Sequence, residues 1–203
     1  MFAQLHSMLT VSATPKSLAR FDQDIQILVE DLKATGRFEN SIIVIWSDHG
    51  QGYAMHRRLP LIIKFPEQVE LPGLERNAQT IDIAPTLLDY LGWPIPSWME
   101  GSSMFEPVAR YKPIFCSDGS SLNSGIEPGA DASVAPGGLR SVSVIFCNRW
   151  YHLQLPSGDL ETRWIEGHTT PCEPDDLPSE DEATAMLLRH LTERGYHPGI
   201  ETH

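Results

Sequence analysis

The sequence predicts an α/β fold, and three features of its first half lead to that prediction. After Thr14-Pro15, apolar side chains recur every three or four residues up to Gly36, as in a helix with one apolar face. A continuous apolar and β-branched run follows at residues 41–46, which is typical of a strand buried on both faces. A second apolar run, at residues 59–65, is bracketed by prolines and suits a neighbouring strand. This order predicts a mostly parallel sheet with flanking helices.

A further helix is predicted at residues 80–91, because Pro85 lies in its first turn and Gly92 directly follows its end. The composition changes after residue 107. Residues 118–138 are rich in Gly, Ser, Ala and Pro and predict a long irregular loop. Short strands are predicted around and after this loop, at residues 113–117, 139–147, 149–155 and 160–165.

The C-terminal region ends in a predicted helix. Ser179 and Glu182 have the spacing of a capping box, and Gly195 closes the amphipathic pattern that follows. We therefore predict two domains, an α/β region at residues 1–107 and a small antiparallel sheet with one helix at residues 108–203.

The composition of the 203 residues is that of an ordinary globular protein, with 41% hydrophobic and 21% charged residues. Its net charge of -12 disfavours attraction to nucleic-acid phosphates or anionic membranes, so no nucleic-acid partner is expected. The sequence contains no apolar run long enough to span a membrane and no signal-peptide pattern in its first twenty residues. We expect no membrane segment in this chain.

The three cysteines, Cys116, Cys147 and Cys172, have no metal-type spacing and are odd in number. They define neither a disulfide framework nor a compartment. We expect three buried thiols.

Asp48 and His49 directly follow the first predicted strand, and ligands of open α/β sheets bind at the carboxyl ends of strands. A carboxylate and an imidazole on a tight turn can supply one oxygen and one nitrogen ligand to a divalent cation, and Gly50 lets the backbone pass close. The alternative is an ordinary strand exit in which Asp48 caps nearby amides.

Four motifs occur in an order that matches one known family. They are Ser47-Asp48-His49-Gly50, Arg58-Leu59-Pro60-Leu61-Ile62-Ile63, the segment from Asp82 to Gly92, and Gly101-Ser102-Ser103. This arrangement resembles the sulfatase family of the alkaline phosphatase superfamily, strongly up to Phe105 and more loosely in the tail. The resemblance implies an alkaline-phosphatase-like partial parallel sheet with flanking helices, followed by a small antiparallel sheet and a C-terminal helix.

The resemblance also implies an active site. In the family a divalent metal is held by carboxylates from an early strand and by the motif residues that match Asp48 and His49. A formylglycine, Thr or Ser nucleophile attacks sulfur or phosphorus, and the metal activates it and neutralises charge. Because imidazole suits transition metals, His49 favours Mn or Zn as well as Ca.

Two further residues are candidate catalytic groups by the same resemblance. His56 occupies the connection where family members place a His or Lys that contacts the substrate oxyanion or a metal, and the alternative is a surface histidine. Arg57 could pair with the anionic ester or be a solvated charge. Asp82 opens a helix and is interpreted as stabilising exposed backbone amides there. The histidines in the tail and at the termini are interpreted as non-catalytic.

The sequence contains no Cys-x-Pro-x-Arg nucleophile motif and no early Asp-Asp pair. We therefore interpret it as the C-terminal part of a sulfatase that acts on a small-molecule or glycan sulfate ester and is inactive alone. The alternatives are a phosphoryl enzyme of the same superfamily, such as a phosphoethanolamine or phosphoglycerol transferase or a phosphodiester or phosphonate hydrolase, and a non-catalytic remnant that binds a metal or a partner. An incomplete sheet exposes an edge, which favours self-association.

Overall fold

A computed structural model of the chain describes residues 15–47, 59–71, 77–107, 112–119, 139–155, 157–165, 172–173, 175 and 177–196. The side chains of residues 68, 118 and 119 are outside this description. The described residues fall into two compact units. One is formed by residues 15–47 and 59–71, and the other by the described residues from 77 to 196. The domain division near residue 107 stays a prediction.

The first unit begins with helix α1, Pro15–Ala34, which confirms the first predicted helix. The helix ends two residues before Gly36, whose φ of +68° is a conformation that glycine adopts at low cost, and the Arg37 amide donates to the Leu32 carbonyl at 2.8 Å. The α1 side chains are exposed or partly exposed, and none of them is buried. The unit also contains strands β1, Ile43–Trp46, and β2, Leu61–Lys64, and a 3-10 turn, Pro66–Gln68.

The direction of pairing between β1 and β2 corrects the sequence prediction. The two strands are antiparallel, with Ile43 opposite Lys64 and Trp46 opposite Leu61, whereas a parallel arrangement was predicted. Parallel neighbours need a long crossover, usually a helix, while antiparallel neighbours can be joined directly. The sequence between the two strands contains no apolar helical repeat and so does not predict the crossover helix that a parallel pair needs.

The second unit begins with a 3-10 turn, Thr80–Asp82, that leads into helix α2, Ile83–Tyr90. The predicted helix at residues 80–91 is therefore confirmed, with a tighter first turn. Pro85 is accommodated in the first turn of α2 because the amide that proline lacks has no intrahelical partner there. The helix ends before Gly92, which has a φ of +67°.

The tail is a four-stranded antiparallel sheet with one helix, as predicted. The strands are β3, Ile114–Gly119, β4, Leu139–Phe146, β5, Arg149–Gln154, and β6, Leu160–Trp164, in the spatial order β3-β4-β5-β6. The final helix α3, Glu180–Glu193, starts with the predicted capping box. Strand β4 ends at Phe146, one residue earlier than predicted, because Cys147 and Asn148 form the turn to β5.

The core of the second unit lies between one face of this sheet and α3. Alternate residues of β4 and β5 pack against one stripe of the helix, as the period of two in strands and the period of 3.6 in helices require. The buried residues of this cluster are Val142, Val144, Tyr151, Leu153, Ala183, Leu187 and Leu191.

The cysteines also differ from the sequence prediction. Cys147 and Cys172 form a disulfide, with their Cα atoms 6.1 Å apart, and Cys116 is a free, partly buried thiol. The expectation of three thiols was wrong because the turn after β4 brings two residues that are distant in sequence within bonding range. Within the described residues, no helix has both the length and the apolar character needed to cross a membrane.

Candidate functional site

The candidate metal motif begins at the carboxyl end of β1. This strand ends at Trp46, and the Ser47 amide donates to the Pro60 carbonyl at 3.3 Å. Asp48 and His49 come next in the chain and lie outside the described residues, as do His56 and Arg57. Their roles as metal ligands and as catalytic residues therefore stay predictions.

The best-defined polar cluster in the second unit surrounds Asp82, which is 2% exposed. One oxygen of its carboxylate accepts from the Gln79 amide at 3.0 Å. The other oxygen accepts from the Ser102 amide at 2.9 Å and from Lys112 Nζ at 2.7 Å. Lys112 Nζ also donates to Ser102 Oγ at 2.9 Å. One buried carboxylate thus joins three separate segments of the chain.

Two hydroxyl groups extend this cluster toward residues 103–105. Thr86 Oγ1 donates to the Asp82 carbonyl at 2.6 Å and accepts from the Met104 amide at 2.9 Å. Ser103 Oγ donates to the Asp89 carboxylate and accepts from the Phe105 amide at 3.1 Å. Since Thr86 and Ser103 are fully buried, each bond satisfies a polar group that water cannot reach.

Gly101 lets these segments approach each other. A Cβ atom at residue 101 would lie 2.0 Å from the Ile81 carbonyl oxygen and 2.6 Å from the Ile81 carbonyl carbon, far inside van der Waals contact. Only a residue without a side chain can lie this close to the Ile81 carbonyl group.

The Asp82 cluster is a scaffold: its carboxylate accepts from the backbone amides of Gln79 and Ser102, but it makes no cap hydrogen bond to α2, the helix that it opens. It joins the two later motifs of the sequence analysis, the segment from Asp82 to Gly92 and Gly101-Ser102-Ser103. Sequence reasoning missed Lys112, which supplies the charge opposite Asp82. A lysine ahead of a strand carries no signal that would have identified this role.

A second polar group lies in the sheet. His152 Nδ1 is 2.8 Å from Ser143 Oγ, its Nε2 is 2.8 Å from Gln154 Nε2, and its ring stacks on Trp150 with centroids 4.7 Å apart. An amide nitrogen only donates, so in this arrangement His152 Nε2 accepts and Nδ1 carries the proton. Ser143 is 0% exposed, so its hydroxyl cannot reach a substrate. The pair belongs to the protein interior.

A cavity of about 340 Å³ borders the Asp82 cluster and is lined in part by Lys112, Cys116, His190 and Arg194. His190 stacks on Phe115 with ring centroids 3.8 Å apart, and its Nδ1 is 3.0 Å from Arg194. Burial, and secondly the Arg194 charge, lower the pKa of His190. Across the part of the chain that the structure describes, no three His, Cys, Asp or Glu side chains are grouped as metal ligands.

Comparison with known proteins identifies the class to which the chain belongs. Residues 45–114 match the family described as N-sulphoglucosamine sulphohydrolase, C-terminal. This range starts in β1, includes Asp48 and His49, and extends through the Asp82 cluster to the start of β3. Over the residues that match, the family model and the sulfatase relatives place the chain in the C-terminal region of the sulfatase and alkaline phosphatase superfamily.

Individual relatives include both sulfuryl and phosphoryl enzymes. The chain is 32% identical over 100 residues to an N-acetylglucosamine-6-O-sulfatase of Bacteroides thetaiotaomicron, a match that covers 43% of this chain and 18% of the relative. It is 37% identical over 73 residues to a 2,3-bisphosphoglycerate-independent phosphoglycerate mutase of Synechococcus elongatus, covering 32% of this chain and 14% of the relative. The chain thus matches less than a fifth of the length of each.

A similar solved structure is the phosphonate monoester hydrolase of Silicibacter pomeroyi, with a TM-score of 0.49 and 21% sequence identity. The similarity covers 85% of this chain and 38% of the other chain.

Proposed function

We propose that this chain is the C-terminal part of a metal-dependent hydrolase of sulfuric esters, in which Asp48 and His49 are metal ligands. One observation carries the proposal: Asp48 and His49 follow β1 in sequence after Ser47 alone, within the range that matches the C-terminal region of the sulphohydrolase family. The names of the relatives favour a small-molecule or glycan sulfate ester as the substrate.

The donor set fits a divalent metal ion. A carboxylate oxygen and an imidazole nitrogen are ligands that Mn and Zn accept readily, and Ca accepts the carboxylate. When bound, such an ion acts as a Lewis acid on the ester and activates the nucleophile. We assign His56 to contact with the developing oxyanion. Arg57 is assigned to binding the sulfate group, because a guanidinium can donate two parallel hydrogen bonds to one oxyanion.

We expect the 203-residue chain to be inactive by itself. Catalytic metal sites normally draw three or more ligands from the protein and need a positioned nucleophile, whereas the motif supplies only Asp48 and His49. General acid and base help from His56 alone would contribute about 10²- to 10⁴-fold, well below what unactivated ester hydrolysis requires.

A phosphoryl enzyme of the same superfamily is the second candidate. The match to a phosphoglycerate mutase has 37% identity, which is higher than the identity to the sulfatase, although it is shorter. A metal held by Asp48 and His49 would neutralise charge on a transferring phosphoryl group in the same way. The identity of the ester therefore depends on the nucleophile that completes the site.

We further propose that the isolated chain self-associates through its first unit. Two strands alone form a marginal sheet, and here Trp46 and Ile62 are exposed while no α1 residue is buried. Pairing between copies at the edge of this sheet would give partners to its edge backbone groups and bring the exposed apolar side chains of two copies together. Light scattering during size-exclusion chromatography tests this, and a monomer at every concentration would contradict it.

The function is tested with aryl sulfate and aryl phosphate substrates in the presence of Ca, Mn or Zn. We expect no turnover by residues 1–203 alone, and turnover when the chain is joined to a segment carrying the nucleophile and the early carboxylates. In the active form, Asp48→Asn should lower bound metal and activity together. Asp22→Asn, on the exposed side of α1, is the matched control and should change neither.

Unchanged metal content in Asp48→Asn would rule out this ligand assignment. Multiple turnovers by the 203-residue chain, abolished by Asp48→Ala, would show that it holds a complete site. Metal binding with no activity on either ester in the joined protein would favour the non-catalytic alternative.

A further inference from the structure

Cys147 adopts a backbone conformation that cysteine rarely occupies. It is the first residue of the turn between β4 and β5, and its φ is +52°. In this left-handed region a Cβ atom crowds the backbone, so glycine and asparagine are the favoured residues. A cysteine here is unfavourable for the backbone, and its side chain has to contribute an interaction that offsets this cost.

Several chain segments meet at this turn. The Cys147 side chain is buried, its carbonyl oxygen accepts from Asn77 Nδ2 at 2.8 Å, and the next carbonyl, of Asn148, accepts from the Ile165 amide at 2.8 Å. The Cys147 sulfur is bonded to Cys172. The covalent bond is therefore built into a turn that also receives hydrogen bonds from two other parts of the unit.

The other end of the disulfide lies close in sequence to the last helix. Cys172 lies ahead of α3, and Pro178, just before the Ser179 cap, accepts a hydrogen bond from the Tyr151 hydroxyl at 2.6 Å. Both ends of the segment 172–178 are thus attached to the hairpin formed by β4 and β5. Helix α3, which follows this segment, packs against the core face of the same sheet.

We propose that the Cys147–Cys172 disulfide is a cross-link that stabilises the folded state of the second unit, and that the chain matures in an oxidising compartment. Its formation is an exchange reaction with a low-molecular-weight disulfide such as oxidised glutathione. One S–S bond forms between the two cysteines, the S–S bond of the oxidant breaks, and the two cysteine protons end on the two glutathione thiols. Disulfides of this kind persist in oxidising compartments and are rare in the cytosol.

The expected size of the effect follows from the loop that the bond closes. The two cysteines are 25 residues apart, and closing such a loop in the unfolded chain shifts the folding equilibrium by roughly 10²- to 10³-fold. For a unit of this size the corresponding change in melting temperature is about 5 to 15 °C. Reduction of the bond should produce a change of this size.

Cys116 provides an internal control. It lies on β3 as a free thiol, and burial raises the pKa of that thiol. A raised pKa leaves less thiolate, which is the form that attacks disulfides. Cys116 should therefore neither compete for pairing nor contribute to the redox dependence.

The test uses the purified 203-residue chain equilibrated in glutathione buffers of increasing oxidised fraction. Thiol titration after unfolding without reductant should find one free thiol in the oxidised form, and peptide mapping should find residues 147 and 172 in one cross-linked species. A reductant should lower the melting temperature of both the wild type and Cys116→Ser by about 5 to 15 °C. Three free thiols under oxidising conditions, or a melting temperature that the reductant does not change, would overturn the proposal.

Two double variants separate the cross-link from the backbone conformation. Cys147→Ser with Cys172→Ser should melt at the temperature of the reduced wild type, and added reductant should not change that temperature. Cys147→Gly with Cys172→Ser should fold roughly 5- to 30-fold more favourably than the serine pair, because glycine relieves the positive φ. Equal stability of the two double variants would show that the positive φ at residue 147 has no energetic cost, and it would count against the proposal.

Discussion

The Asp82 carboxylate and the Lys112 ammonium group lie 2.7 Å apart, with the Asp82 side chain 3% exposed and the Lys112 side chain 21% exposed. The same carboxylate accepts hydrogen bonds from the Gln79 and Ser102 amides. These donors satisfy both oxygens of the buried carboxylate, which joins the start of α2 to the segment at residue 102 and to the start of β3.

Replacing the charge of Asp82 should destabilise the second unit. Asp82→Asn keeps the size of the side chain, but it leaves Lys112 without its anionic partner and turns one acceptor into a donor that faces a backbone amide. Since hydrogen bonds to charged groups contribute about 1.5 to 3 kcal/mol each, we expect a loss of about 2 to 4 kcal/mol in the free energy of unfolding. Urea denaturation measures this free energy. A decrease no larger than that caused by the exposed control Asp22→Asn would contradict the scaffold role of Asp82.

Gly101→Ala should be more harmful than alanine at a glycine with open surroundings. The new Cβ would meet the Ile81 carbonyl oxygen at 2.0 Å, so the backbone at Ile81 or Gly101 must move and strain the Asp82 hydrogen bonds. We expect a loss of about 3 kcal/mol or more, as for overpacked sites. Gly195→Ala is the matched control, because it has a φ of +80° but no atom within 4 Å of the added Cβ, and should cost about 1 kcal/mol. Equal decreases in the free energy of unfolding for the two variants would mean that the contact between the new Cβ and Ile81 does not determine the loss.

The cap of α3 should contribute stability that depends on pH. Ser179→Ala removes the hydroxyl that bonds the Glu182 amide and should cost about 1 kcal/mol at neutral pH. Hydrogen bonds from the Ser179 amide and hydroxyl lower the pKa of Glu182, so its contribution is present above its unfolded-state pKa and is lost as the pH falls through the folded-state pKa. The difference between wild type and Ser179→Ala should therefore shrink in acid, whereas in a Glu182→Gln background it should not vary with pH.

His190 should make the second unit less stable in weak acid. Burial, then the Arg194 charge, lowers the pKa of His190 in the folded state, so the unfolded chain binds the proton more readily. Stability is retained above the ordinary histidine pKa of about 6.5 and decreases as the pH falls below it. Thermal melts at pH 7.5 and pH 5 should show a smaller pH-dependent decrease for His190→Gln than for the wild type. An identical decrease in the two proteins would exclude His190 as its source.

The candidate active site depends on sequence resemblance more than on geometry. Asp48 and His49 were identified from their place after an apolar strand and from the motif around them, and that strand is present as β1. Lys112 could not have been identified in this way, because its partner Asp82 is 30 residues earlier in the chain and no local pattern connects them. A contact of this range is produced by packing, which single-sequence patterns do not encode.

The sequence by itself determined the local elements of this protein. The Pro15 start of α1, the Ser179 capping box and the alternation in β4 and β5 depend on residues within a few positions of each other, so propensity and period were sufficient to predict them. Only the tertiary structure decided the antiparallel direction of β2 against β1, the pairing of Cys147 with Cys172 and the fit of Gly101 against Ile81. Each of these joins residues that are separate in sequence, and their distance is set by the packing of the whole unit.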